Sequence, residues 1–465
     1  MTEKIFRWRW LVLGCVLCGG GVRAEVVVYP APPGLAEGQQ GRASRAWEVK
    51  VTQNGKTSDS FVYEIPADKK IDTRHNVCSF TTFSFAGAAA VTVKRRGGEP
   101  VRSAGVYPLS YGIKPEIIGP DTVRFGLDRP GRKMAVIIND DWDAHPLLVF
   151  GDELEKDVPR QGEPNVVYFG PGVHEAGQIR LESGQTLYLA GGAYVKGWVK
   201  ENDLRDVRVG GRGILSAESR PGGRGGVNKQ TMAFDGNGAN IVVEGLTFIQ
   251  QQGFACTVRG EGHVVRGVKI IGNWHPTTDG VVVGNGGLVE DCFIKADDDS
   301  IKLYGSNVTV RRCVIWQMEN GGVLQHGWTR QNAAGNHVYD MDIIRTEWTT
   351  TGRDARGVIS SVGLNGSGGN HVFEDIRVDG GGGRIISMNT KRGSNATWSN
   401  VVIRNLTVNN WNPVEGQISG SGIQGITFEN FKLNGQYVTD PNQANLKILN
   451  GASDIRFVVT RSRER

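Results

Sequence analysis

The stretch "GLVEDCFIKADDDSIKLYGSNVTVRRCVIW", residues 287–316, holds two versions of one short unit, "GLVEDCFIK" and "VTVRRCVIW". Earlier versions are "IVVEGLTFI" (241–249) and "HVVRGVKII" (263–271). The unit returns in "HVFEDIRVD" (371–379), "VVIRNLTVN" (401–409) and "GITFENFKL" (425–433). If Leu246, Val268, Cys292 and Cys313 are equivalent, the steps between them are 22, 24 and 21 residues. A repeat of roughly 20–30 residues with one apolar signature per period marks a solenoid. No unit has helical periodicity, so each coil must be made of strands. Successive coils then stack about 4.8 Å apart as parallel strands. The expected fold is all-β, a right-handed parallel β-helix.

The rest of the chain agrees with that frame. Its 465 residues exceed what one hydrophobic core usually supports, and 66 glycines beside 39% hydrophobic residues imply many tight turns in a folded protein. Residues 25–160 carry short alternating segments such as "WEVKVTQ", "AVTVKRR" and "MAVIIND", which read as an N-terminal β-sandwich. Trp142 and His145, in "DDWDAHP", read as packing and turn residues. Residues 161–465 form the expected β-helix domain, its repeats running over roughly 165–440.

Residues 1–24 read as a secretory signal. Lys4, Arg7 and Arg9 precede an apolar run too short to span a bilayer, and Ala24 ends a small-residue cleavage site. This implies a secreted or periplasmic protein. Without the leader, 49 basic residues face 47 acidic ones, which leaves no basic field for nucleic acid or anionic membranes. Membrane insertion is not expected, and a monomer is. Cys78, Cys256, Cys292 and Cys313 remain and contain no CxxC pair, so zinc is not expected. Cys292 and Cys313 lie one period apart; an inward ladder of thiols is expected, and a disulfide between coils is the alternative.

Three adjacent aspartates, Asp297, Asp298 and Asp299, interrupt the repeat in a stretch otherwise suited to a strand. Upstream lies "HPTTDGVVVG" (275–284). Aligning "DGVVV" with "DSIKL" puts Asp279 directly over Asp299, 20 residues and one coil apart. Three readings are open. The aspartates can cap turns; they can bind calcium, as clustered carboxylates do; or they can hydrolyse a glycosidic bond. Hydrolysis needs one protonated carboxyl and one ionised one, and crowded carboxylates supply both because they cannot all ionise cheaply.

"TTDG", then "ADDDSIKLYGSNVTVRRCVIW", then "HGWTRQN" resembles glycoside hydrolase family 49, the dextranase and isopullulanase family. "SGQTLYLAGGAYVKG" (183–197) resembles a turn shared with the related polygalacturonase-type β-helix hydrolases. The resemblance covers about 165–435, and the order of sandwich then helix matches too. It implies an inverting hydrolase acting on an α-glucan with α-1,6 or pullulan-type linkages and needing no cofactor or metal. Asp298 matches the general acid, and Asp279 and Asp299 match the pair that holds the attacking water. Asp297 becomes a supporting residue. Inversion carries with it an acid-to-base separation of roughly 6.5–9.5 Å.

Around the acids, Lys302 matches the lysine of the family's pattern, and Lys302 and Tyr304 are expected to contact substrate. So are His326, which replaces an apolar residue expected before "GW" and is a polygalacturonase-like feature, and Lys391 and Arg392 in "MNTKRGSN". Trp274 and Trp328 are candidate platforms for sugar rings, whereas Trp316 lies in the repeating strand and reads as core. A pectinolytic hydrolase remains an alternative, as does a non-catalytic β-helical adhesin.

Overall fold

The structure is a computed structural model and describes residues 26–35, 42–67, 75–221, 229–272, 277–327, 332–348, 356–361 and 363–460. The leader segment 1–24, Trp274 and Trp328 lie outside the described residues. Among the described residues all regular structure is strand, apart from two short 3-10 turns.

Two antiparallel-rich sheets come first. One has five strands, running in space from Lys56–Ser60 through Trp47–Gln53, Ala89–Arg95 and Thr122–Leu127 to Glu116–Gly119. The other has seven and is centred on Val77–Phe85, Leu147–Glu153 and Arg132–Ile138. In Trp47–Gln53 alternate residues are buried, the pattern of a sheet covered on one face. Trp47, Val49, Val51, Val91 and Phe125 meet Phe83, Phe85, Met134 and Val149 in the core between the sheets. Arg132–Ile138, by contrast, is buried at all seven positions, because the second sheet is covered on both faces.

What covers its far side is the solenoid. A 32-stranded sheet winds from Val166–Phe169 to Ser453–Val458, its strands pairing in parallel from coil to coil apart from one antiparallel hairpin at Lys432–Tyr437. The register Thr247↔Lys269↔Phe293↔Val314 confirms the spacing read from the repeats. Leu246, Val268, Cys292 and Cys313 lie in the solenoid's interior core, and both cysteines are free buried thiols. Outward-facing Tyr194, Ile214, Ile249, Ile271, Phe293 and Trp316 pack instead on Tyr63, Phe80, Ile137 and Phe150 of the sandwich. Trp316 is therefore buried in the layer between the two parts, not inside the coils. It lies edge-on to Trp142, with 5.1 Å between ring centroids, and its Nε1–H donates to Glu347 at 2.6 Å.

That layer also encloses charge. Lys269 is fully buried and its Nζ donates to Asp152 Oδ2 at 2.6 Å and to the Gly245 carbonyl at 2.7 Å. Lys133 and Arg212 approach the same carboxylate at 3.6 and 3.8 Å. Burial works against an ionised Asp152, yet the three cations together hold it well below the usual carboxylate range. Burial pushes Lys269 down to about 8 despite its partner. Removing the shared anion strands three cations, whereas removing one cation leaves two. Asp152→Asn should cost about 3–5 kcal/mol and Lys269→Met much less, as measured by denaturant unfolding. Equal losses would contradict the shared-anion arrangement.

Candidate active site

Strand Phe293–Ala296 ends at Asp297, the chain bends through 297–300, and the next strand starts at Ile301. The register Val281↔Ile301 stacks Asp279 on Asp299, and the Gly280 N–H donates to the Asp299 carbonyl at 2.9 Å. The bend turns Asp298 toward the same space. One oxygen from each of Asp279, Asp298 and Asp299 lies within 4.8 Å of the other two. The nearest oxygens are thus closer than the roughly 6.5–9.5 Å separation expected for an inverting pair. The cause is the stacking itself, since coils repeat at about 4.8 Å and one cation draws two of the acids together.

That cation is Lys302. Its Nζ donates to Asp279 Oδ2 at 2.7 Å and to Asp299 Oδ2. Ile301 and Leu303 face the solenoid core, so alternation sends Lys302 outward beside the acids. The rings of Phe254 and Tyr304 lie 5.1 and 5.5 Å from the ammonium. Burial opposes the charge, but Asp299 and Asp279 outweigh it and hold the Lys302 pKa well above its usual value. The ammonium thus bridges two of the three carboxylates.

One cation cannot neutralise three carboxylates. Burial, followed by repulsion from Asp299, pushes Asp298 up to about 7. Burial also raises Asp279 well above the carboxylate range, against the pull of Lys302. Asp297 rises to about 6, through burial and then the charge of Glu347. Asp279 and Asp299 are almost fully buried, while Asp298 is only partly so and is the most accessible of the trio. These shifts favour a proton within the cluster near neutral pH, and Asp298 is its most accessible member.

The next coil supplies groups that sequence reading missed. Asn320 Nδ2 donates to Asp298 Oδ2 at 2.8 Å, and the Gly322 N–H donates to Asp299 Oδ1 at 2.9 Å. The Glu319 N–H donates to Asp297 Oδ1 at 3.2 Å, so Asp297 ties the two coils together. A Cβ on Gly321 would collide with the backbone of Asp298 and Asp299. The signal was present in "ENGG" (319–322), which follows "DDDS" by one period of 22 residues.

Other expected contacts are corrected. His326 is buried and shares the inward parity of Leu324, two residues before it. Its ring lies 5.1 Å from His371 and 5.7 Å from Trp398. Burial, then His371, lowers its pKa well below the usual histidine value. The fold thus sets it among packed rings of the interior. Lys391 and Arg392 are exposed and follow a strand, Ile386–Asn389, that lies three coils beyond Ile301. Three coils span about 14 Å, which separates them from the acids. A cavity of about 640 Å³ opens at the junction with the sandwich, lined by Tyr107, Trp142, Arg345, Trp348 and Asp379. Trp348 connects it to the acid cluster, donating from Nε1 to the Gly321 carbonyl at 2.9 Å.

A parallel β-helix with clustered carboxylates at one strand end defines the class to which the β-helical glycoside hydrolases belong. The comparisons agree. Isopullulanase of Aspergillus niger is 24% identical over 474 residues, spanning 84% of this chain and 80% of its own length. Dextranase of Arthrobacter globiformis is 23% identical over 502 residues, spanning 84% and 78%. Among solved structures, Dex49A from Penicillium minioluteum matches with a TM-score of 0.72 at 17% identity, covering 93% of this chain and 98% of that one. No protein-family model matches the chain. The chain is similar to the dextranase and isopullulanase glycoside hydrolases, as its motifs implied.

The Asn320 contact makes a separable prediction. Its N–H donor favours the ionised form of Asp298, so Asn320→Ala should raise that pKa further. An acid must be protonated to act, so activity is lost as pH rises through its pKa. The alkaline limb of kcat/KM should therefore lie near pH 7 in the parent and move upward in the variant. A limb that stays in place would remove Asn320 from the control of Asp298.

Proposed function

We propose that the protein hydrolyses a neutral α-glucan with α-1,6 or pullulan-type linkages, using Asp298 as general acid and Asp279 with Asp299 to hold and activate water. The carrying observation is the convergence of these three carboxylates around Lys302. Asp298 combines a raised pKa with accessibility, which suits proton donation to the glycosidic oxygen. Lys302 bridges Asp279 and Asp299, which holds that pair together around a water, while Asp298 is the accessible member. The substrate follows from the relatives named dextranase and isopullulanase. The lysine nearest the acids is already committed to two of them, so it is not free to bind a uronate. The leader at 1–24 supports export to the medium or periplasm, and a monomer acting on polysaccharide fits this reading.

Inversion is the course carried by the family resemblance. The nearest-oxygen spacing, taken alone, is nearer the roughly 5–5.5 Å of retaining enzymes, which would make Asp279 or Asp299 a nucleophile. The anomer in fresh product, read by NMR, separates the two. The proposal expects the configuration opposite to that of the cleaved linkage.

Asp298→Asn should lose most turnover, roughly 100-fold or more, on dextran or pullulan. It should lose much less on a glycoside with a good leaving group, which needs little protonation. Asp279→Asn and Asp299→Asn should fail on both substrates. An Asp298→Asn protein as active as the parent on the natural glucan, or sugar release from polygalacturonate alone, would overturn the proposal.

A further inference from the structure

Beside Lys302 on the next coil stands Gln325, in the register Lys302↔Gln325↔Ser360↔Ser387. Leu324, Ile359 and Ile386 belong to the interior core, so strict alternation sends Gln325, Ser360 and Ser387 to the outward face that Lys302 shares. All three are fully buried, yet neither amide atom of Gln325 and neither serine hydroxyl has a hydrogen-bond partner. On the opposite side of Lys302 the adjoining rung is apolar Val282. Folded proteins seldom leave buried polar groups unpaired, and here such groups occupy three successive rungs starting beside the acids. Asp279, Asp299 and Lys302 are nearly as buried, so the ladder lies at the depth of the chemistry itself.

We infer that Gln325 is a substrate-positioning residue that binds hydroxyls of the sugar next to the cleaved bond, with Ser360 and Ser387 serving the following sugars. This rests on the glycosidase reading above and deepens it. An amide both donates and accepts, as a sugar hydroxyl does, and carries no charge to pair with a uronate. The ladder thus selects a neutral glycan chain lying along the solenoid axis, on the C-terminal side of the acids. The rung spacing of about 4.8 Å is comparable to the advance of one pyranose.

Gln325→Leu keeps the approximate shape and removes only the amide. For isomaltohexaose it should raise KM roughly 10- to 100-fold with a smaller change in kcat. Its thermal midpoint should hold or rise, because an unpaired buried amide is gone. Ser360→Ala, a smaller change, should weaken long oligosaccharides while sparing a disaccharide. Binding is measured separately by calorimetry, titrating isomaltohexaose and hexagalacturonate into Asp298→Asn protein with and without Gln325→Leu. If the parent hydrolyses no α-glucan but isomaltohexaose binding still depends on Gln325, the reaction reading fails and the subsite stands. If the parent is active and Gln325→Leu leaves KM and affinity within twofold, the subsite fails and the reaction stands. A lowered midpoint with unchanged KM, or preferred binding of hexagalacturonate, also overturns the subsite.

Discussion

Vertical register is the constraint on which the molecule depends. In a parallel solenoid each residue lies on its counterpart one coil away, and the ladder hydrogen bonds hold that alignment. An error of one residue would send core side chains to the outside. The interior column of Leu246, Val268, Cys292 and Cys313 fixes the register over four coils. Asp279 and Asp299 inherit their juxtaposition from it through the Val281↔Ile301 pair. A functional cluster built this way needs no loop to fold around it. Two aspartates separated by one repeat are brought together by the apolar residues beside them.

The same geometry sets the electrostatics. Stacked carboxylates cannot move apart without breaking the ladder, so their repulsion must be relieved by a cation or a proton. Lys302 bridges two of the acids, and burial with the charge of Asp299 raises the pKa of Asp298 at the bend. Asn320 and Gly322, from the next coil, hold Asp298 and Asp299 in place through separate donors. Chemically identical side chains thus acquire different surroundings from their places on neighbouring coils.

Much of this was legible in the sequence because a solenoid turns spacing into proximity. The repeat step gave the fold, and the offset of 20 residues gave the Asp279–Asp299 pair. What failed was side-chain direction. His326 sits close to the motif in sequence, but its parity with Leu324 turns it into the interior. The distance from the acids to Lys391 and Arg392 is not legible in the sequence, because periods are hard to count where the loops lengthen. Trp316 was read as core by its place in a repeating strand, and it is buried, but against the sandwich. No local pattern distinguishes an inward tryptophan from an outward one that a second domain covers. Asn320 and Gly322 were within reach of the same counting that paired the aspartates, applied one coil further.

The middle sheet of the molecule, with Arg132–Ile138 buried on both faces, has a bearing on how the chain is made. The strands that form it lie before residue 154, and the coils that cover its outer face run from Tyr194 to Ile344. A ribosome thus completes the sandwich while Tyr63, Phe80, Ile137 and Phe150 still face water. That apolar surface stays open until some two hundred more residues have emerged, which is the interval in which nascent chains associate wrongly.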